Sequence, residues 1–368
     1  MEPMKIIFDN IIFSLQPSGG ISVVWFELLK RILNDNEIES LFIDELNKNI
    51  FRKDLSISEK NKINDLSLKL PLNIKRYLNP KLAQYKGIFH SSYYRISNDS
   101  SIANVTTVHD FTYEYFRKGF ARYVHHSQKG HAIRNSKKII CVSYNTKKDL
   151  ITFFPKIKEE DINVIYNGVD NEYHPLVIKD ETYLKQLISF SSGEYILYVG
   201  DRSSQYKNFI LAVKACNISK QPLVMVGGGQ LTFSEIQFLN GTLGINKYKH
   251  LHGINNSRLN FIYNHAFCLL YPTLYEGFGI PLLEAQRAGC PVISTNYSSI
   301  PEVAGCGAIL LDKVTEYQIA DVLNQFKRDS LITTNLKLEG LKNSQKFSWD
   351  VCYHQTKALY KEVYEKYF

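Results

Sequence analysis

The chain has 368 residues, with 44 lysines and arginines against 36 aspartates and glutamates, and so a net charge of +8; 44% of its residues are apolar and 22% charged. That balance excludes a disordered chain, and the length suits two domains of roughly 100–200 residues each. Six cysteines are scattered without a C-x-x-C pair, which reads as free thiols, mostly buried, in a reducing compartment.

The longest uncharged candidate for a membrane span, residues 259–275, carries Asn260, Asn264, His265 and Pro272. A span requires ~20 mostly apolar residues. Asp9 interrupts the first apolar run soon after Lys5, which argues against a signal peptide. The expectation is a cytoplasmic protein with at most peripheral membrane contact.

In chain order, Ile6–Phe8 reads as a strand. A loop then ends in Ser18-Gly19-Gly20, and Val24, Leu28, Leu29 and Ile32 fall at helical spacing over 21–33. Glycines at such a place let backbone approach a phosphate closely, although a tight turn is the plainer account of the pair alone. Asn104–Val108 reads as a strand ending in the ionisable pair His109-Asp110, where a structural histidine is an equal alternative. Lys138–Ser143 and Ile162–Ile165 follow as strands. The stretch 167–192 is polar and turn-rich and is expected to connect two domains. Strands resume at Tyr195–Val199, Pro222–Val226, Phe267–Tyr271 and Val292–Ser294. Strands alternating with helices imply parallel sheets covered on both faces. The expected division is 1–175, 190–345 and a closing segment 346–368. That segment is a helix capped by Ser348, with Asp350 in its first turn and Cys352, Thr356, Leu359 and Val363 on one face.

The most informative segment is Tyr271-Pro-Thr-Leu-Tyr-Glu276-Gly-Phe278-Gly279-Ile280-Pro-Leu-Leu-Glu284. A strand runs into a loop of small residues, Pro281 suits the first turn of a helix, and Gly289 suits its end. Backbone N–H groups at a helix N-terminus suit an anionic or hydroxyl-rich ligand, and the carboxyl end of a strand is where open α/β sheets bind ligands. Glu276 and Glu284 can each accept from vicinal hydroxyls, such as those of a ribose and a hexose. Two glutamates eight apart would alone read as a cap and a solvated side chain; the Gly-Phe-Gly-Ile-Pro setting favours the ligand.

Arg202 and Lys207 follow the strand ending at Gly200, where two cations suit a diphosphate. Two ordinary surface cations are the alternative. Gly227-Gly228-Gly229 follows the strand Pro222–Val226 without G-x-G-x-x-G spacing, and reads as a turn bordering a base pocket together with His252-Gly253-Ile254. No Asp-x-Asp and no P-loop occur, and the histidines at 125, 126, 131, 250 and 252 lack zinc companions. No metal is expected.

Glu276-Gly-Phe-Gly-Ile-Pro-Leu-Leu-Glu284 resembles the E-x7-E motif of retaining glycosyltransferases of family 4, which have the GT-B fold. Ser18-Gly-Gly-Ile-Ser, Thr107-Val-His-Asp110, Val164-Ile-Tyr-Asn-Gly-Val-Asp170, Arg202 with Lys207, Cys290-Pro-Val-Ile-Ser and Ser299-Ile-Pro-Glu-Val-Ala-Gly305 extend the likeness in order along the chain. The usual Pro-Glu before the lysine is absent; Ser203-Ser204-Gln205-Tyr206 stands there.

The resemblance implies two Rossmann-like α/β domains facing across a cleft, with the last helix crossing back to the first domain. It implies a nucleotide-diphosphate sugar as donor, a GDP-mannose-like one being favoured, and no required cofactor or metal. Glu284 would bind ribose hydroxyls and Glu276 the donor sugar. Backbone N–H groups of Phe278, Gly279 and Ile280 would hold hydroxyls or phosphate. Arg202 and Lys207 would neutralise the diphosphate, Gly19-Gly20 would touch phosphate, and His109 would approach the donor sugar. The reaction would be hexosyl transfer with retained configuration, the leaving phosphate oxygen taking the acceptor's proton.

From Arg117 through Lys148 nine cations occur without an acid, and from Lys69 through Arg95 six more, with aromatics interleaved. A basic, aromatic face suits anionic lipid headgroups, and the expected acceptor is a lipid-diphosphate-linked or growing surface saccharide. A solvated basic face is the alternative. The basic charge also permits nucleic-acid binding, but no nucleic-acid module appears, and none is expected as a partner. A catalytically inactive sugar-binding relative is disfavoured by the joint presence of Glu276, Glu284, Arg202 and Lys207.

Overall fold

The computed structural model describes residues 2–45, 48–63, 70–177 and 180–368; Lys69 lies outside them. The chain divides into two compact units, Met1–Gly168 with Trp349–Phe368, and Val169–Ser348.

The first unit holds six parallel strands, β1 (Met4–Asp9), β2 (Ile38–Ile43), β3 (Gly87–Ser91), β4 (Ile102–Val108), β5 (Lys138–Cys141) and β6 (Ile162–Val164), in the order β2-β1-β3-β4-β5-β6. Ile6 pairs with Ile88 and Val105 with Lys138. Central strands buried on both faces require continuous apolar runs, and β1 and β4 have them. On one face Phe8 stacks on Phe42 at 5.7 Å and meets Trp25 edge-on at 5.9 Å, the Trp25 indole donating to Asn10 Oδ1 at 2.8 Å. Trp25 lies in the helix Gly20–Ile32.

The C-terminal helix Trp349–Tyr367 packs on that same helix and on β3. Thr356, Leu359, Tyr360 and Val363 are buried there, as the four-residue spacing of the sequence implies. Each buried large apolar side chain contributes about 1.5–3 kcal/mol. Tyr360 Oη lies 2.5 Å from Nδ1 of the buried His90, whose pKa is pushed down to about 3 by desolvation.

The second unit holds β7 (Ile196–Val199), β8 (Leu223–Val226), β9 (Tyr248–Leu251), β10 (Cys268–Leu270), β11 (Val292–Thr295) and β12 (Ile309–Leu311), in the order β12-β11-β10-β7-β8-β9, all parallel. Its core gathers Ile196, Tyr198, Met225, Leu270 and Ile293 beneath the helices Phe209–Ser219 and Glu316–Arg328. The break between the units falls at Gly168, at the start of the polar stretch and ahead of the expected bound at 175. Residues after it are tied to the helix Asn256–His265: His174 N donates to Asn260 Oδ1 at 3.1 Å and Leu176 N to Asn264 Oδ1 at 2.7 Å.

Cys141, Cys216, Cys268 and Cys290 are buried free thiols, and Cys306 is exposed. Among the described residues no helix is long and apolar enough to cross a membrane.

Candidate active site

Four adjacent parallel strands of the second unit, β10-β7-β8-β9, end on the same side of one sheet. Arg202 and Lys207 follow β7, Gly228 follows β8, Gly253 and Ile254 follow β9, and Glu276 through Ile280 follow β10. The sequence candidates of this unit thus sit on neighbouring loops at the carboxyl edge, where open α/β sheets bind ligands.

Lys207 and Glu276 meet directly. Lys207 Nζ donates to Glu276 Oε1 at 2.9 Å, and both side chains are largely buried, at 16% and 15% exposure. The ammonium also lies over Tyr271, 5.7 Å from the ring centroid, and the Tyr271 hydroxyl hydrogen-bonds Glu276. Burial works against the lysine's charge, but Glu276 and the surrounding hydroxyls and carboxylates outweigh it, and the pKa is raised. Gly200 takes φ +148°, a conformation that favours glycine, and a Cβ there would only reach ordinary contact with Lys207 Cδ at 3.5 Å.

The loop carrying Glu276 is fastened from behind. Glu276 N donates to Ser298 Oγ at 3.0 Å, and Ser299 Oγ donates to the carbonyls of Glu276 and Phe278 at 2.9 and 3.0 Å. Gly279 then takes φ +100°, ψ +50° as the cap of the helix Ile280–Arg287, with Pro281 in its first turn. That left-handed conformation favours glycine, and a Cβ would press on Ile300 Cδ1 at 3.2 Å.

Glu284 lies one turn inside that helix. Tyr263 Oη donates to its Oε2 at 3.0 Å, and the Tyr173 hydroxyl also hydrogen-bonds it. Desolvation, with Asp170 nearby, pushes its pKa up to about 7, although both tyrosine hydroxyls oppose the shift. Sequence reading missed Tyr173, Tyr263 and Ser298, which lie far along the chain and in no motif; Ser299 stood in a quoted run but without a role.

Arg202 does not join the Lys207–Glu276 pair. Its Nε donates to Glu235 at 2.8 Å, and its Nη1 to the Gly227 carbonyl, with His250 Nε2 at 3.0 Å. Its Nη2 donates to the carbonyls of Gly228, Gly229 and Gln230 at 3.1, 3.2 and 3.4 Å. The guanidinium is 2% exposed. Of the two cations, the Lys207 ammonium thus stands beside a carboxylate, while the Arg202 guanidinium braces the glycine turn. Gly228, at φ +72°, is required there, because a Cβ would fall 2.8 Å from Arg202 Nη1 and 3.1 Å from its backbone N. Gly253, at φ +65°, has open space before it.

In the first unit, His109 follows β4. Burial, aided by the Lys129 ammonium, pushes its pKa down to about 4 against the pull of Asp110, so it is neutral at pH 7. Gly20 opens its helix, and a Cβ there would meet nothing within 4 Å; one at Gly19 would meet only the tip of Gln16. Internal packing does not demand glycine at either position.

A family model described as "Glycosyl transferases group 1" matches residues 179–347, and one described as "Glycosyltransferase Family 4" matches residues 59–173. An O-antigen chain mannosyltransferase B of Escherichia coli is 27% identical over 384 residues, covering 97% of this chain and all of the relative. A sucrose-phosphate synthase from Thermosynechococcus elongatus superposes with a TM-score of 0.76 at 15% identity, over 99% of this chain and 100% of that one. HepE from Anabaena, solved with UDP and glucose, superposes with a TM-score of 0.71 at 18% identity, over 97% and 99%. Two parallel six-stranded sheets, family matches to both units and these neighbours agree: the chain belongs to the family 4 type of glycosyltransferases, with the GT-B fold.

Proposed function

We propose that this glycosyltransferase moves a hexose, mannose in the favoured reading, from a GDP-linked donor to a lipid-linked or growing surface saccharide at the cytoplasmic face of a membrane. The observation that carries the proposal is the Lys207–Glu276 pair beside the Gly279-capped helix, with Glu284 one turn further in. Relatives named as O-antigen mannosyltransferases support the sugar and the polysaccharide context. A neighbour solved with UDP and glucose makes a UDP-sugar the second reading of the donor.

In this reading the donor diphosphate lies against Lys207 and the first turn of the helix Ile280–Arg287. As the glycosidic bond loosens, negative charge builds on the leaving phosphate. A preorganised ammonium and helix N–H dipoles stabilise it without reorganisation, usually the largest catalytic contribution. No metal is then needed to neutralise the diphosphate. Glu276 accepts hydrogen bonds from the sugar's hydroxyls, held by Ser298, Ser299 and Tyr271. Glu284 accepts from ribose hydroxyls between Tyr173 and Tyr263. The acceptor hydroxyl bonds the anomeric carbon on the face from which the diphosphate departs and gives its proton to the leaving phosphate oxygen, so the configuration is retained with no protein nucleophile. In the first unit, His109 offers a neutral ring nitrogen to a sugar hydroxyl, and Gly20 its N–H to an anionic group. Arg202 serves by shaping the glycine turn.

Incubation with GDP-mannose and a polyprenyl-diphosphate-linked saccharide tests this. The expected product carries mannose in the donor's anomeric configuration, read by NMR, at a rate unchanged by EDTA. Inverted product, or no transfer from GDP-, UDP- or dTDP-sugars, would overturn it.

A further inference from the structure

Two buried side chains grip the turn that carries His109, and neither belongs to a motif. His109 stands one residue past the last ladder pair of β4, Val108 with Cys141. The Tyr94 hydroxyl hydrogen-bonds the His109 backbone. Burial raises the phenol's pKa and this bond opposes the rise, so the His109 N–H is the donor and the phenol oxygen the acceptor. One residue on, the Asp110 carbonyl accepts from Lys129 Nζ at 2.8 Å. Asp110 Oδ1 in turn accepts from Thr112 N at 2.9 Å.

Neither grip comes without cost. Tyr94 is 6% exposed and takes φ +50°, a left-handed backbone that a bulky side chain rarely adopts. Strain of this kind persists only where the surroundings over-determine it, and it gathers at functional sites. Here the Tyr94 ring is fixed on several sides. The His125 ring meets it edge-on at 5.6 Å, the Tyr93 ring lies at 5.0 Å, and the Lys129 ammonium stands 5.5 Å from its centroid. Lys129 is fully buried, donates to Glu114 Oε2 at 2.8 Å and lies 4.3 Å from the Phe111 ring centroid. A well-packed apolar pair would fill such space at no loss of stability, yet it would leave the Asp110 carbonyl unheld. A side chain with no exposure touches no substrate, so Lys129 acts on the site through that carbonyl.

We propose that Tyr94 and Lys129 are positioning residues of the transferase, fixing the His109–Asp110 turn by its backbone so that the His109 ring is held ready for the donor sugar. The proposal rests on the reading of His109 as a sugar contact. Tyr94 comes from the loop after β3 and Lys129 from the helix Gly119–Arg134, so two separate elements clamp one turn. Both grips fall on backbone atoms and leave the imidazole to the ligand. Preorganisation of this kind matters because a misplacement of about 1 Å costs a rate on the order of 10²-fold.

The test uses the full chain with 15N-labelled histidine and the variant Tyr94→Phe, which keeps the ring and removes only the hydroxyl. Its His109 amide should exchange with solvent roughly tenfold faster, the worth of about one hydrogen bond. Its kcat should fall roughly tenfold with the donor KM unchanged. In a His109→Ala background the same change should cost nothing further, because a residue that acts through another is silent once that other is gone. Lys129→Met alone strands Glu114, so Glu114→Gln with Lys129→Met is the informative pair. Its melting temperature should return toward the wild type while kcat stays roughly tenfold down. An unchanged His109 exchange rate in Tyr94→Phe, additive losses of Tyr94→Phe and His109→Ala, or kcat recovering together with stability in the double variant would each overturn the proposal. Normal kcat in His109→Ala would overturn the sugar-contact reading and the positioning role with it, and the exchange rate tells that failure from a missing grip.

Discussion

Lys207 Nζ donates to Glu276 Oε1 at 2.9 Å across 69 residues of sequence. The two loops that follow β7 and β10 are thereby joined by one charge-assisted hydrogen bond. Such a bond is worth about 1.5–3 kcal/mol, and it holds the ammonium ready before any ligand arrives.

Replacing Lys207 by alanine should therefore lower the transfer rate roughly 10²-fold or more, a few kcal/mol of transition-state stabilisation. Steady-state kinetics should show the loss in kcat more than in KM, because the charge it meets develops as the bond breaks. Near-normal kcat in the variant would remove Lys207 from the leaving-group role.

Glu284 titrates near neutrality, its pKa pushed up to about 7 by desolvation. A carboxylate that must accept from hydroxyls works only when ionised, so nucleotide affinity should rise as pH increases through about 7. Stability should move the other way. The native state holds its proton more tightly than the unfolded chain does, so Glu284 contributes fully below about 4.5, and that contribution is lost as pH rises through about 7. Glu284→Gln should flatten both profiles; calorimetric titration and thermal melts between pH 5 and 8.5 check them.

Gly228→Ala tests the bracing by Arg202. A Cβ at φ +72° is strained, and it would meet Arg202 Nη1 and backbone N. The expected destabilisation is about 1–3 kcal/mol, with weakened binding of nucleoside mono- and diphosphates alike. Loss confined to diphosphates would instead make Arg202 a phosphate contact.

Lys129→Met leaves Glu114 buried without its ammonium. Breaking a buried pair from one side costs about 3–5 kcal/mol, and chemical denaturation should show it. Glu114 has its pKa pushed down to about 2: desolvation opposes the shift, but His125 and Lys129 overcome it. Its stabilising contribution is present above about 4.5 and lost as pH falls toward about 2. The wild type should therefore lose stability over that interval and the double variant Glu114→Gln, Lys129→Met should not lose it from this source.

The central strands and the Glu276–Glu284 loop were legible because their signals are local. A strand buried on both faces writes itself as an apolar run, and a strand-to-helix turn writes itself in glycine and proline. The strands β2, β9 and β12 were missed because each lies at a sheet edge, where half-exposed positions tolerate Glu39, Lys249 or His250 and the apolar run is broken or short. β3 is central but carries His90 and Ser91, polar groups satisfied by Tyr360 and Asp9 from remote parts of the chain. Arg202 shows the same limit. Its spacing from Lys207 suggested a phosphate clamp, whereas its partners at Glu235 and at 227–230 lie beyond local reach. Residue type named the charges, and only tertiary packing decided which one stands beside Glu276.

The most direct measurement of the donor site is a thermal-shift panel of GDP, UDP, dTDP and ADP on the wild type and on Lys207→Ala. A bound nucleotide at a hundred times its Kd adds about 2.7 kcal/mol, so GDP should raise the wild-type melting temperature by several degrees and lose most of that shift in the variant, while GMP shifts both equally. No shift with any of the four nucleotides, or equal GDP shifts in both proteins, would contradict a diphosphate held by Lys207.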